Sequence, residues 1–383
     1  MFSFELTEEQ QELRDSVRRF AEQEIWPRAI ELDEKEEFSV ELTQKMGDLG
    51  YFGLFVSDKY GGSGLDYISY ILVVEELSRV DGSNAATVAA ANSLGIGPIY
   101  YFGTEEQKEQ WLPILCSGQG LAGFGLTEPN AGSDAGGSKT TAKKVDGGWV
   151  INGSKIFITN SSNPMTKVII VQAVTGEREN GKKEYSCFLV PADSEGLTAK
   201  QIHGKLMWRS SDTGELYFDD LFVPDSALLG SQGDGFRQML STLDRGRLSI
   251  AAMGVGGAQG AYELALKYAQ ERKQFGQPIS KFQAIGFKLA DMATEIEAAR
   301  LLNYQACWRC QNGMSFGKEA AMAKLYASEV MGRVATEAVQ VHGGYGLMKE
   351  YHVERFFRDQ KLLEIGEGTS EIQRMVISRY IGC

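Results

Sequence analysis

The stretch GVGGAQG, Gly254 to Gly260, decides how the chain is read. Its four glycines resemble a dinucleotide-binding loop, which would imply a parallel α/β fold. Three local observations oppose that reading. The glycines miss the G-x-G-x-x-G spacing and no strand-like run precedes them. They also sit inside a helical period running from GFRQMLSTLDRGRLSIAAM into YELALKYAQERKQFG. Glycine inside a long helix is unfavourable unless another element must approach its backbone. Close helix–helix packing is therefore the expectation.

The surroundings extend this reading. FQAIGFKLADMATEIEAARLLNYQACWRC and EAAMAKLYASEVMGRVATEAVQV follow, and Pro278 is the only proline after Pro224. Long helices joined by short glycine turns predict a helical bundle over residues 233–383. Upstream the period changes. GWVINGSKIFITN, KVIIVQAV, EYSCFLVPA and GELYFDDLFVP are β-branched and aromatic runs broken by turn signals such as Asp146-Gly147-Gly148. They predict a compact β-domain over 121–232, of sandwich or barrel type. The first third is helical again. T-x-x-Q capping boxes open helices at Thr7–Gln10 and Thr104–Gln107, VELTQKMGDLG ends in a C-cap glycine, Gly50, and YISYILVVEELSRVD is a further helical run. This gives an α-domain over 1–120. Helices and strands are segregated, so the fold class is α+β and multidomain.

Composition narrows the function. The 383 residues are 43% hydrophobic and 23% charged, with formal net charge −12. That charge opposes nucleic acid or an anionic membrane as the main partner, while leaving room for an anionic small molecule in a basic pocket. The N-terminal MFSFELTEEQQELRD has neither a basic n-region nor an apolar h-region, and no apolar run reaches membrane-spanning length. A cytoplasmic location is expected. Five cysteines do not form a disulfide framework, and the Cys307–Cys310 pair lacks a second pair or a histidine set. It reads as one helix face, and no metal is expected.

Several motifs could carry chemistry. GLTEPNAGSDAGG, Gly125 to Gly137, is rich in small residues and backbone donors and suits a binding loop better than a linker. KIFITN puts Phe157 and Thr159 on one strand face, which suits a planar polar ring or simply a core strand. LDRGR sets Asp244 and Arg247 at i, i+3, a spacing that also makes weak surface ion pairs. Arg272 ends a long helix, where a cation is favourable in any case. QVHGGYG joins two helical stretches through tight turns.

In their joint order these segments resemble the acyl-CoA dehydrogenase family, over essentially the whole chain. GLTEPNAGSDAGG and QVHGGYGLMKEYHVERFFRD look like the family's two signatures. LDRGRLSIAA, ERKQFGQPISKFQ and EGTSEIQR fall in its order and spacing. The resemblance implies an N-terminal α-domain, a central β-domain and a C-terminal four-helix bundle, assembled as a homotetramer around FAD. Phe124, Leu126, Thr127, Ser133, Phe157 and Thr159 match flavin-contacting positions. Arg272, Gln274, Phe282, Gln283 and the run Gln340 to Gly344, including Gly343 and Gly344, match positions that hold the diphosphate and adenosine, partly from a neighbouring subunit. Thr369 and Glu371 also match FAD positions. Ser133, Asp244, Arg247 and Gly368 match acyl-CoA contacts, and Glu367 matches the catalytic base. The implied reaction removes an α-proton and transfers a β-hydride to flavin N5, giving a 2-enoyl-CoA. Electron-transferring flavoprotein is the implied acceptor. An oxidase on the same fold and an inactive binding protein are the rival readings.

Local sequence separates the three acids of EIGEGTSEIQR. Ser370 and Gln373 form an S-x-x-Q capping box, which places Glu371 in a first helical turn, and Glu364 closes the preceding helix. Glu367, between two glycines, is left free to point into a cleft. A helix N-terminus should lower its pKa whereas burial should raise it. Gly246 stands where some relatives carry the base, and glycine closes that alternative. Gly366 replaces a tyrosine common in straight-chain enzymes. With Met207-Trp208, also a departure, it suggests room for a branched or cyclic acyl group.

Overall fold

The computed structural model describes residues 5–383. The glycine stretch lies in mid-helix. Gly235–Glu271 is one uninterrupted α-helix of 37 residues. Its glycines admit neighbours from two sides. A Cβ at Gly256 or Gly260 would overlap the carbonyl oxygen of Glu75 or Arg79, and a Cβ at Gly254 would come within 2.8 Å of the Ala327 oxygen. The first two receive the end of helix Tyr67–Ser78; the third receives helix Gly317–His342. Ser78 Oγ donates to the Met253 carbonyl at 2.8 Å at the same crossing.

Helices Gln283–Gln311, Gly317–His342 and Val353–Ile365 pack with Gly235–Glu271 as a bundle. Asn303 Nδ2 donates to the Leu248 carbonyl at 3.1 Å, and Ser328 Oγ to that of Leu363 at 2.9 Å, tying neighbouring helices together. Helix Ser370–Tyr380 packs back against the third bundle helix. Cys307 is buried and Cys310 half-buried, both free. No group of three metal-ligating side chains occurs among the described residues. No described helix is long and apolar enough to cross a membrane.

In the first third, both T-x-x-Q capping boxes form, and Gly50 follows helix Val40–Asp48 at φ 75°. Helices Gly82–Ala90 and Gly97–Phe102, joined by a π-helical turn over Ala91–Ile96, carry no amphipathic stripe in the sequence. They are buried nearly all round, so neither face needs to be polar.

The middle third holds the four long strands expected: Gly148–Thr159, Thr166–Glu177, Lys183–Pro191 and Thr213–Pro224. Leu121–Gly125, Thr141–Val145, Leu197–Gln201 and Leu228–Leu229 complete a single mixed sheet of eight strands. The sandwich expected of this region takes the form of one sheet folded on itself. The sheet is open, and its two wings join only through the parallel pair Thr141 and Val174. It still folds over one core, in which Ile151, Leu216 and Leu221 of one wing share a cluster with Ile169, Val171 and Phe188 of the other.

The three regions meet at Trp208. Its backbone N–H donates to Asp359 at 2.9 Å, and its indole fills the space left by Gly82. Beside it, Arg355 pairs with Asp81 at 2.5 Å with both side chains buried. Trp208 thus belongs to a domain junction.

Gly256→Ala should destabilise the fold by about 1–3 kcal/mol or more, because the new methyl overpacks a backbone crossing. Gly286→Ala, in a helix where a Cβ meets only Ser280 O at 3.8 Å, should instead stabilise by up to ~1 kcal/mol. Thermal melts of the two variants should shift in opposite directions.

Candidate active site

Helix Val353–Ile365 stops at Gly366, and the chain turns through two left-handed residues, Glu367 at φ 53° and Gly368 at φ 98°. For glutamate this conformation costs about 1–2 kcal/mol, so its surroundings must hold it. Thr369 then caps the last helix, its Oγ1 accepting from Ile372 N at 3.3 Å. This corrects the S-x-x-Q reading by one residue, because extended Thr369, not Ser370, presents the oxygen. Gln373 turns the other way, its Nε2 donating to the carbonyls of Gly368 at 2.8 Å and Glu367 at 3.3 Å.

The kink throws the Glu367 side chain across to the long helix, against Gly246. A Cβ at 246 would overlap Glu367 Oε2. The residue as a whole is half-buried, but that oxygen is buried and has no hydrogen-bond partner. Burial pushes the carboxyl up to about 7, against the pull of the Lys324 and Arg247 cations. Glu364, paired with Lys361 at 2.6 Å, and exposed Glu371 in its first turn have the ordinary helical roles expected.

Asp244 and Arg247 do form an ion pair, at 2.5 Å, but not a surface one: Arg247 is buried and its Nε has no partner. Lys324 was not singled out in the sequence. It lies on the apolar face of helix Gly317–His342, fully buried, and its ammonium donates to the Gly368 carbonyl at 2.7 Å. A lone lysine among alanines at helical spacing was the available signal.

The loop after strand Leu121–Gly125 is pinned by a second unforeseen group. Glu128 accepts from Lys155 Nζ at 2.8 Å and from the N–H groups of Lys139 at 2.6 Å and Thr140 at 3.0 Å, and Lys155 also donates to Leu126 O at 3.1 Å. Phe124 and Leu126 are buried at its base, Thr127 is half-buried and Ser133 is exposed. Phe157 sits on a bulge at φ 60° and is 65% exposed, near half-buried Thr159. An exposed ring, hydroxyls and a rigid loop fit the edge of a flavin.

Arg272, Gln274, Phe282, Gln283 and Gln340 to Gly344 belong to the opposite end of the bundle. Arg272 lies 5.6 Å from the Tyr345 ring centroid, and Phe275, 94% exposed, meets Phe282 edge-on at 6.0 Å. A Cβ at Gly343 or Gly344 would meet nothing within 4 Å. A cation, amides, open backbone and exposed rings fit a diphosphate and a nucleoside. At 1.5 Å per residue, Arg272 lies about 39 Å along the helix from Gly246.

Gly246→Ala should fold, since alanine favours the helix, but should push the Glu367 carboxylate toward solvent. Its titration should then fall from about 7 toward the ordinary glutamate range, as read from carboxyl infrared spectra against Glu367→Gln.

Comparison with known proteins agrees with this geometry. Family models described as the N-terminal, middle and C-terminal domains of acyl-CoA dehydrogenase match residues 7–119, 123–221 and 233–382. A probable acyl-CoA dehydrogenase of Bacillus subtilis is 54% identical over 379 residues, covering 99% of each chain. The butyryl-CoA dehydrogenase structure from Megasphaera elsdenii superposes with TM-score 0.96 at 44% identity, covering 99% of this chain and 100% of that one. A chain from a structure described as the electron transferring flavoprotein of Acidaminococcus fermentans gives TM-score 0.96 at 44% identity, with full coverage of both. This chain belongs to the acyl-CoA dehydrogenase family of FAD-dependent oxidoreductases.

Proposed function

We propose that the enzyme dehydrogenates a short-chain, branched or cyclic acyl-CoA to its 2-enoyl-CoA, with Glu367 as the base that removes the α-proton. The observation that carries this reading is the buried, unpartnered Glu367 Oε2 on its strained turn, with the carboxyl pushed up to about 7. An α-C–H beside a thioester is a weak acid. A desolvated carboxylate with its pKa near working pH is a stronger base toward it than an exposed one.

The Glu367 backbone N–H has no acceptor among the described residues. It is free to donate to the thioester oxygen and stabilise the developing enolate. Buried Arg247, braced by Asp244, supplies a further donor toward the CoA portion, beside Gly368. Ser133 lies on the pinned loop and would meet both substrate and flavin. FAD, held by the loop residues Phe124 to Ser133, by Phe157 and Thr159, and by Thr369 and Glu371, supplies two-electron oxidation by accepting a hydride. Arg272, Gln274, Phe282, Gln283, Gln340, Gly343 and Gly344 would serve the FAD of a neighbouring subunit. A site shared in this way requires an oligomer, and a homotetramer is our reading. A chain 44% identical to this one stands in a structure described by its electron transferring flavoprotein, which supports that flavoprotein as the acceptor here.

Substrate size follows from Gly366. Its φ of −64° is open to any residue, and a Cβ there would meet only Leu362 atoms, at 3.3–3.7 Å. The missing side chain is therefore a matter of space beside the base rather than of backbone need. The butyryl-CoA dehydrogenase relative favours short acyl groups, and Gly366 favours bulk near the α- and β-carbons.

Glu367→Gln should retain FAD and acyl-CoA binding while losing about 10²–10⁴-fold in dehydrogenation. Near-normal turnover would sink the assignment. Because the ionised form is the base, kcat/KM should rise with pH through an apparent pKa near 7, the value of the free enzyme's carboxyl. Turnover of isobutyryl-CoA or a cyclohexanecarboxyl thioester should equal or exceed that of butyryl-CoA. A strong butyryl preference would defeat the wider pocket.

A further inference from the structure

Lys324 is a fully buried lysine with no carboxylate within ion-pair distance among the described residues. Burying an unmatched ammonium is costly, so such a group needs a compensating role. Its one hydrogen bond goes to the carbonyl of Gly368, the residue that follows Glu367. Gln373 Nε2 reaches the same oxygen at 2.8 Å, so two donors from different helices grip one carbonyl in the left-handed turn.

The charged groups around this turn come from four other elements. Arg247, on the long helix, is matched by Asp244 at 2.5 Å. Glu364, on helix Val353–Ile365, is matched by Lys361 at 2.6 Å. Glu371, in the last helix, is exposed. Tyr70, on helix Tyr67–Ser78, is neutral, its phenol raised by burial and donating to Ala89 O. Lys324 and Glu367 are left as the two buried charges of opposite sign without a partner of their own. Burial draws the ammonium down to about 8, while Glu367 pulls it back up.

We propose that Lys324 is the positioning residue of the base: it clamps the Gly368 carbonyl to hold the strained turn, and its positive charge keeps Glu367 ionisable near neutral pH. The proposal rests on Glu367 being the base only for its kinetic consequence. The clamp and the charge are independent of it. The ammonium needs no contact with substrate or flavin for this role.

Two variants separate clamp from charge. Lys324→Gln removes the charge and keeps a donor for Gly368 O, whereas Lys324→Met removes both at similar volume. Each is purified as the FAD holoenzyme, with flavin content and thermal melting as checks of the fold. In both, the Glu367 carboxyl, read by infrared difference against the corresponding Glu367→Gln double variant, should titrate at least about one unit higher than in wild type. The acid limb of kcat/KM should move up with it. Plateau kcat should fall about tenfold or more in Lys324→Met and much less in Lys324→Gln, since misplacing a base is costly even when it is ionised. A Glu367 titration unmoved in Lys324→Gln would overturn the electrostatic role. Equal plateau kcat in Lys324→Met and wild type would overturn the clamp. A moved carboxyl titration with an unmoved acid limb would uphold Lys324 and remove Glu367 as the base.

Discussion

One helix without side chains at chosen points organises the molecule. Gly235–Glu271 lets three other elements reach its backbone: the end of helix Tyr67–Ser78 at Gly256 and Gly260, helix Gly317–His342 at Gly254, and the carboxylate of Glu367 at Gly246. A methyl group at Gly256, Gly260 or Gly246 would overlap the neighbour. The same covalent simplification therefore docks the N-terminal region, closes the bundle and opens the space that the carboxylate fills. Each glycine reduces helix propensity, and the packing it permits offsets that loss.

The site built on this helix is an electrostatic compromise. Glu367 is removed from water far enough to raise its pKa to about 7, and the Lys324 and Arg247 cations pull against that rise. The backbone contributes as much as the charges. Two consecutive left-handed residues aim the carboxylate inward, and Gln373, Thr369 and Lys324 hold the turn through hydrogen bonds to its backbone or to the helix that follows. Elsewhere, the buried Glu128–Lys155 pair fixes the loop that follows strand Leu121–Gly125, so that loop is not free either.

Legibility in the sequence followed the range of the interactions. Capping boxes at Thr7 and Thr104, the glycine after Val40–Asp48 and the four alternating strands are local patterns, and they stand where expected. Alanine-rich Gly82–Ala90 gave no periodic signal because it is buried on every side. The glycine-rich strand Leu121–Gly125 was hidden for the related reason that its neighbours supply the side chains it lacks. At the last helix the sequence offered two adjacent hydroxyl residues, Thr369 and Ser370, either able to cap. The choice fell to the residue whose backbone is extended, which composition does not encode. Lys324, Glu128 and Lys155 were missed because each has its meaning through a partner 27 or more residues away.

The sequence by itself determined the segregation of helices from strands, the motifs in family order, and the isolation of Glu367 from local helical roles. Those are properties of short stretches and of their order along the chain. Tertiary structure alone decided that the Glu367 carboxylate lies against Gly246 with an unpartnered buried oxygen, and that a lysine from a third helix grips the next carbonyl. It also decided that Arg272 and the run Gln340 to Gly344 lie at the end of the bundle away from Glu367. Burial and through-space charge depend on which distant segments are brought together. A pKa near 7 is thus a property of the packed site rather than of the glutamate or its neighbours in sequence.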